Sequence, residues 1–395
     1  MYLVERIIEK CENSQNDWRL GATGGKSLRI DQQEYDACGK TALVSEAEEL
    51  ERAGMIRIKW LTRGSDIERI YYRLEDLDRF YAALMETQPG RQPKWKQIQA
   101  YCELLERELD GLQTEWICRY YRDLLEQLGR GNIPKMLDKR EVYLPCFRGI
   151  DELKEPVFKR IFSSRYLMNS KTFEENAESH IIAKARQYCG DVVEEMDDKE
   201  VLSQLNIEEY SQEMSLKGAL RIGIVQGSTC FDINLGEYIY GTVLNSETLK
   251  NAMILSEQPE IKRVVTIENK ANFVSAPYQE GTLYVFSHGY FSPREKRFLQ
   301  QLWAALEGKG VQFYHSGDLD YGGVKIFEYI KKNIFPDVRP LMMDAETYER
   351  YLAWGEPIAA KTLQKLKNTK IPELQGLIDA ILEKRAAIEQ ECFLM

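Results

Sequence analysis

The sequence predicts an α/β multidomain fold, on three observations. In the last third of the chain, strand-length apolar runs alternate with helix-period segments, which is the pattern of a parallel, Rossmann-like sheet. Ahead of that, helical segments are followed by paired short strands. Between them lies a long helical stretch bounded by Pro- and Gly-rich breaks.

Residues 1–87 form the first expected domain. Residues 2–11 have the spacing of a short amphipathic helix. Gly21-Ala22-Thr23-Gly24-Gly25-Lys26-Ser27 imitates a phosphate-binding loop, but it is one residue short between its outer glycines and follows no strand. It reads as a flexible turn. Residues 35–53 read as helix with Gly54 as the stop, and 55–60 and 67–74 as strands. Helix, helix, hairpin is the order of a winged helix. Arg52, Arg57, Lys59, Arg63, Arg69 and Arg73 crowd the hairpin against Asp66 and Glu68. Phosphate contact and an ordinary solvated hairpin both account for them.

Residues 88–134 form a helical arm. Gln88-Pro89-Gly90-Arg91-Gln92-Pro93 is a linker, and 94–111 and 113–129 are helical up to a break at Gly129-Arg130-Gly131-Asn132. Spacing, dimerisation and docking all suit such an arm. The next domain, 135–245, opens with nine basic residues against five acidic ones over 135–171. Twelve acidic and three basic residues follow over 174–213, which accounts for nearly all of the net charge of −10. That stretch reads as a solvated face, and the near-neutral remainder leaves room for local basic patches. Short strands at 218–224, 229–235 and 238–243 form a small β layer, and a helix at 245–255 leads onward.

Residues 246–350 carry the alternation. Strands are expected at 261–267, 282–286, 311–314 and 338–343, with a helix at 293–306 that places Pro293 in its first turn. Residues 351–395 read as a helical tail. Glu268 closes the first of these strands, His288 follows the second, and Asp318 and Asp320 follow the third. All four therefore fall at one rim, beyond the carboxyl ends of the strands, where open α/β sheets bind ligands. Two carboxylates two residues apart on extended backbone point to the same side, and hard cations such as Mg²⁺ take such ligands. An aspartate before a helix can also be a cap. One suffices for that, so the pair together with Glu268 favours a metal site.

The phrases Thr266-Ile267-Glu268-Asn269-Lys270-Ala271-Asn272-Phe273 and Ser316-Gly317-Asp318-Leu319-Asp320-Tyr321-Gly322-Gly323 carry a resemblance. A Glu closing one strand and an Asp-x-Asp closing a later one is similar to the toprim domain of topoisomerases, primases and related nucleases. Together with Phe162-Ser163-Ser164-Arg165-Tyr166-Leu167-Met168-Asn169-Ser170-Lys171-Thr172-Phe173-Glu174, they resemble the D subunits of Wadjet anti-plasmid systems, relatives of the topoisomerase VI A subunit. The resemblance implies a toprim domain at 246–350, a second winged helix in 135–245, and a homodimer. It also implies a Mg²⁺-dependent DNA endonuclease (Mn²⁺ possible), acting on small circular DNA with a condensin-like SMC, kleisin and kite complex. Glu268, Asp318 and Asp320 would be its metal-binding and catalytic residues. Arg165, Lys171, Lys270, His288 and Lys325 are the candidates for double-stranded DNA, although His288 could cap its loop and the lysines could simply be solvated. Tyr166 lies near the position of the topoisomerase relatives' nucleophile but lacks its arginine-rich, paired-tyrosine setting, so aromatic packing or stacking is the readier account. A tyrosine transesterase and a non-catalytic DNA-binding module with a vestigial toprim fold are the alternatives.

Composition sets limits. The 395 residues allow two to four domains with sizeable cores. No apolar run reaches membrane-spanning length, and no secretion signal is evident. Eight scattered cysteines without a Cys-x-x-Cys pair point to a reducing cytoplasm rather than a zinc ribbon. Three histidines exclude a histidine-rich metal cage.

Overall fold

The computed structural model describes residues 1–13, 23–61, 64, 66–87, 93–210 and 213–395. The chain divides into two compact units, Met1–Leu112 with Cys118–Lys139, and Gln113–Ile117 with Arg140–Met395. No helix among the described residues is long and apolar enough to cross a membrane.

In the first unit, the helix Tyr2–Glu12 buries Leu3, Val4, Ile7, Ile8 and Cys11, one face at helical spacing. It packs with Leu43, Ala47, Ile70 and Phe80 into one apolar cluster. The expected helix over 35–53 is two helices, Gln32–Cys38 and Lys40–Arg52, because Gly39 between them sits at φ 85°. The hairpin strands Ile56–Trp60 and Ile67–Arg73 form antiparallel to each other. A third strand, Gly25–Arg29, pairs with Ile67–Arg73 on its free edge. The flexible turn expected there is thus corrected at its C-terminal half: Ser27 and Leu28 pair with Tyr71 and Ile70. Residues 21 and 22, the linker at 88–92 and Arg63 lie outside the described residues. The arm helices span Lys94–Gly111 and Glu115–Gly129.

The second unit begins with helices Arg140–Glu152, Lys159–Leu167, Glu178–Tyr188 and Asp198–Gln204. Among the described residues of this region, strand pairing is confined to Val157–Phe158 against Ile207–Glu208. The acidic stretch is not a plain solvated face. Glu208 is 6% exposed, Glu178 and Glu209 meet Lys159, and Glu194 meets Lys365.

The main sheet has six strands in the order Arg339–Pro340, Gln312–Ser316, Arg263–Ile267, Thr282–Phe286, Glu213–Lys217, Thr242–Asn245. The first four are mutually parallel and the last two antiparallel. The expected small parallel sheet is therefore mixed. Of the strands expected as a separate β layer, the one over 238–243 has joined it as Thr242–Asn245, beside Glu213–Lys217, which was not expected as a strand; Arg221–Gln226, Thr229–Asn234 and Ala252–Ile254 form a second sheet. The helix expected over 245–255 ends at Asn251, and the strand expected over 338–343 is two residues long. Val264, Val265, Thr266 and Ile267 are all buried, as a central parallel strand covered on both faces requires. The tail is not simply helical. Helices Ala360–Asn368 and Gln375–Lys384 are followed by Ala386–Ala387, paired with Glu356–Pro357.

Lys217 pins the helix behind the Glu268 strand. This lysine is 4% exposed, and its ammonium donates to the carbonyls of Phe273, Val274 and Ala276 at 2.8–3.0 Å, at the end of helix Lys270–Ser275. Those carbonyls lie beyond the intrahelical ladder and need a donor. Lys217→Met should lower stability by about 1–3 kcal/mol, read as a shift in the urea unfolding midpoint, because it leaves buried acceptors unmatched.

Candidate metal centre at the switch point

Strand order opens the site. From Arg263–Ile267 the chain passes to Thr282–Phe286 on one side, and from Gln312–Ser316 to Arg339–Pro340 on the other. These two strands are neighbours, with Ile267 opposite Ser316. Their outgoing loops diverge, which leaves a crevice at the topological switch point.

Glu268 stands at its mouth. Its N–H donates to the Ser316 carbonyl at 3.0 Å, and its Oε2 accepts the Asp318 N–H at 3.3 Å. Gly317 makes this possible, since a Cβ there would lie 2.3 Å from Glu268 Oε2 and 3.0 Å from His315 Nε2. Asp318 Oδ1 accepts the N–H of Gln390 at 2.7 Å. Asp320 Oδ1 accepts the N–H of Gly323 at 2.8 Å and so caps helix Tyr321–Asn333. Two glycines in succession after it, Gly322 and Gly323, would allow a sharp turn. They instead occupy the helix's first turn, and neither has positive φ. Gly323 is needed for space, because a Cβ would meet the Asp318 carbonyl at 2.1 Å.

The charges of Asp318 and Asp320 reach Glu268, but among the described residues the three-acid group close enough to share an ion is Asp318 with Glu389 and Glu391, two carboxylates that sequence reasoning missed. Oxygens of Asp318, Glu389 and Glu391 lie within 4.8 Å of one another. The only hint was the spacing, since Glu389-Gln390-Glu391 repeats the acid-x-acid pattern of Asp318-Leu319-Asp320.

Burial and mutual repulsion shape the electrostatics. Burial, then the charges of Asp318 and Asp320, push the Glu268 carboxyl up to about 8. Burial pushes Asp318 up to about 7, with Glu389 adding to it and the Gln390 N–H opposing. Burial also raises Asp320 and Glu389. No Lys or Arg is among the groups acting most strongly on these four. Such a cluster is relieved by taking up protons or by a hard divalent cation, and an all-oxygen donor set suits Mg²⁺ or Mn²⁺.

Two comparisons bear on the chain. Residues 235–395, which include every residue of this centre, match the family described as Wadjet protein JetD, C-terminal. Over 98% of this chain and 97% of the relative, the sequence is 27% identical to the Wadjet protein JetD of Bacillus cereus (strain Q1). The chain is JetD-like.

The remaining candidates of this JetD-like chain are placed elsewhere or otherwise engaged. His288, at φ 43°, meets Glu295 at 3.1 Å, and Glu295 in turn forms a capping box with Ser292 at the start of helix Pro293–Leu306. Burial opposes its charge, but Glu295 prevails and holds the imidazole above its usual range. Lys270 donates to Ser215 at 2.8 Å and lies 4.3 Å from the Phe286 ring centre. Lys325 pairs with Glu328 one turn along its helix. Arg165 and Lys171 are exposed. Tyr166 packs on Phe162 and donates to Glu152 at 3.1 Å, and burial followed by Glu152 raises its phenol.

The raised carboxyls fix a pH dependence. Their stabilising contribution is complete below the ordinary carboxylate range and is lost as pH rises toward 7–8. In EDTA the protein should therefore melt lower at pH 8 than at pH 5.5. Glu268→Gln should flatten that slope, as read by thermal melting across the range.

Proposed function

We propose that this JetD-like chain is a metal-dependent DNA endonuclease acting in a Wadjet anti-plasmid system, and that it hydrolyses phosphodiesters of small circular DNA. The observation that supports it most is the group of carboxylates held above their usual range by burial at the sheet's switch point, Glu268, Asp318 and Asp320. The order of acids and strands is that of a toprim centre. Asp318, Asp320 and Glu268 would hold Mg²⁺ or Mn²⁺. When bound, the cation supplies charge neutralisation at the phosphodiester and lowers the pKa of a water. Glu268, near 8 without a cation, is suited to exchange a proton around neutral pH as general acid or base. Arg165 and Lys171, exposed on the central domain, are proposed contacts to the DNA backbone. A condensin-like SMC complex in the cytoplasm would present the DNA, and a homodimer would allow both strands to be cut.

A tyrosine transesterase is the second reading. It is less well supported, because the Tyr166 phenol is raised rather than activated and is engaged with Glu152.

The test is cleavage of supercoiled circular DNA by the full chain with the SMC complex and Mg²⁺ or Mn²⁺. Linear product is expected. Glu268→Ala and Asp318→Ala should each lose on the order of 100-fold or more in rate, since even outer-shell changes at metal sites cost 10–100-fold. Undiminished cleavage by both variants would leave only an interaction module. Product ends that retain protein until protease is added, and that Tyr166→Phe abolishes, would establish the transesterase instead.

A further inference from the structure

The segment from Ala386 to Cys392 lies across the centre as a strap. Ile388 is fully buried and exchanges backbone hydrogen bonds with Leu319, between the two aspartates. Gln390, 1% exposed, then joins both strand-end loops. Its N–H donates to Asp318 Oδ1 and its Nε2 to Ser316 Oγ, both at 2.7 Å. Its Oε1 accepts the Asn269 N–H at 2.9 Å, and its carbonyl accepts the Asn272 side chain at 3.0 Å. Ile388, Gln390 and Cys392 are buried while Glu389 and Glu391 are exposed, as alternation along an extended strap requires.

A strap that merely covered the crevice would keep its acids away from Asp318. This one brings both carboxylates to within 4.8 Å of it. Like charges gathered so closely are unfavourable unless protons are taken up or a cation joins them. An independent observation lies beside Glu268. His315 Nε2 is fully buried without a partner, and it converges with Glu268 Oε2 on the space over Gly317. A buried nitrogen left unpaired beside a carboxylate calls for a ligand or an ordered water there.

We propose that the strap is a working part of the metal centre: Glu389 adds a cation-binding oxygen beside Asp318, and Gln390 is the positioning residue that fixes Asp318 and both loops. Glu389 is chosen over Glu391 because it stands between Ile388 and Gln390, whose backbones are bonded to Leu319 and to the Asp318 carboxylate. This inference rests on the metal-centre reading above.

Mn²⁺ binding to the full chain without DNA tests it, by calorimetry or by the electron-spin signal of free Mn²⁺. Asp318→Asn should abolish binding. Glu389→Gln should weaken it about tenfold and Gln390→Ala by 10–100-fold, the range for residues that orient metal ligands, while Glu389→Asp keeps most of it. Melting in EDTA checks the fold, and Glu389→Gln, which relieves like-charge crowding, should melt no lower than the parent. If Asp318→Asn weakens Mn²⁺ binding while Glu389→Gln and Gln390→Ala do not, the strap is only a cover and the inference fails with the metal centre intact. If Asp318→Asn leaves Mn²⁺ binding unchanged, the metal centre itself fails and takes the strap with it.

Discussion

The centre depends on two neighbouring parallel strands ending at the same level. Ile267 and Ser316 are register partners, and the hydrogen bond from Glu268 to Ser316 carries the pairing one residue past the last strand position. A slip of one residue would turn Glu268 to the opposite face and separate it from Asp318. Pairing of Arg263–Ile267 with Thr282–Phe286 on one side and Gln312–Ser316 on the other holds that register. Lys217 and the capping residues Asn269 and Asp320 then fix the helices that leave the crevice.

Against this rigid frame stands an electrostatic tension. Burial and crowding oppose ionisation of Glu268 and Asp318, yet the backbone N–H groups of Asp318, Gln390 and Gly323 each donate to one carboxylate oxygen, of Glu268, Asp318 and Asp320 in turn. The result is a group held in place by hydrogen bonds while its charge is unresolved. Enzyme centres concentrate such perturbed groups because the same features that destabilise them prepare them for a ligand.

Much of this could be read from the chain. The four parallel strands, Pro293 in the first turn of its helix, and three acids at one rim follow from local patterns of burial and turn chemistry, and all recur in the structure. What local pattern could not give was partnership. The strand over 238–243 reads as part of an independent layer, and Glu213–Lys217 does not read as a strand, because nothing within either names the edge it extends. Gly39 broke a helix that apolar spacing alone continues. Glu389 and Glu391 did not stand out because the residue that directs them, Gln390, has its partners at Asn269, Asn272, Ser316 and Asp318, more than seventy positions away.

That distance along the chain has a consequence of its own. Asn269 and Gln390 are 121 residues apart, and loop closure of that span is slow compared with forming a helix or hairpin. During synthesis the Asp-x-Asp loop emerges well before the residues that bind it from the far side. A nascent or prematurely ended polypeptide would display the acids without the element that arranges them. The carboxylate arrangement thus waits on a segment that lies 72 residues beyond Asp318.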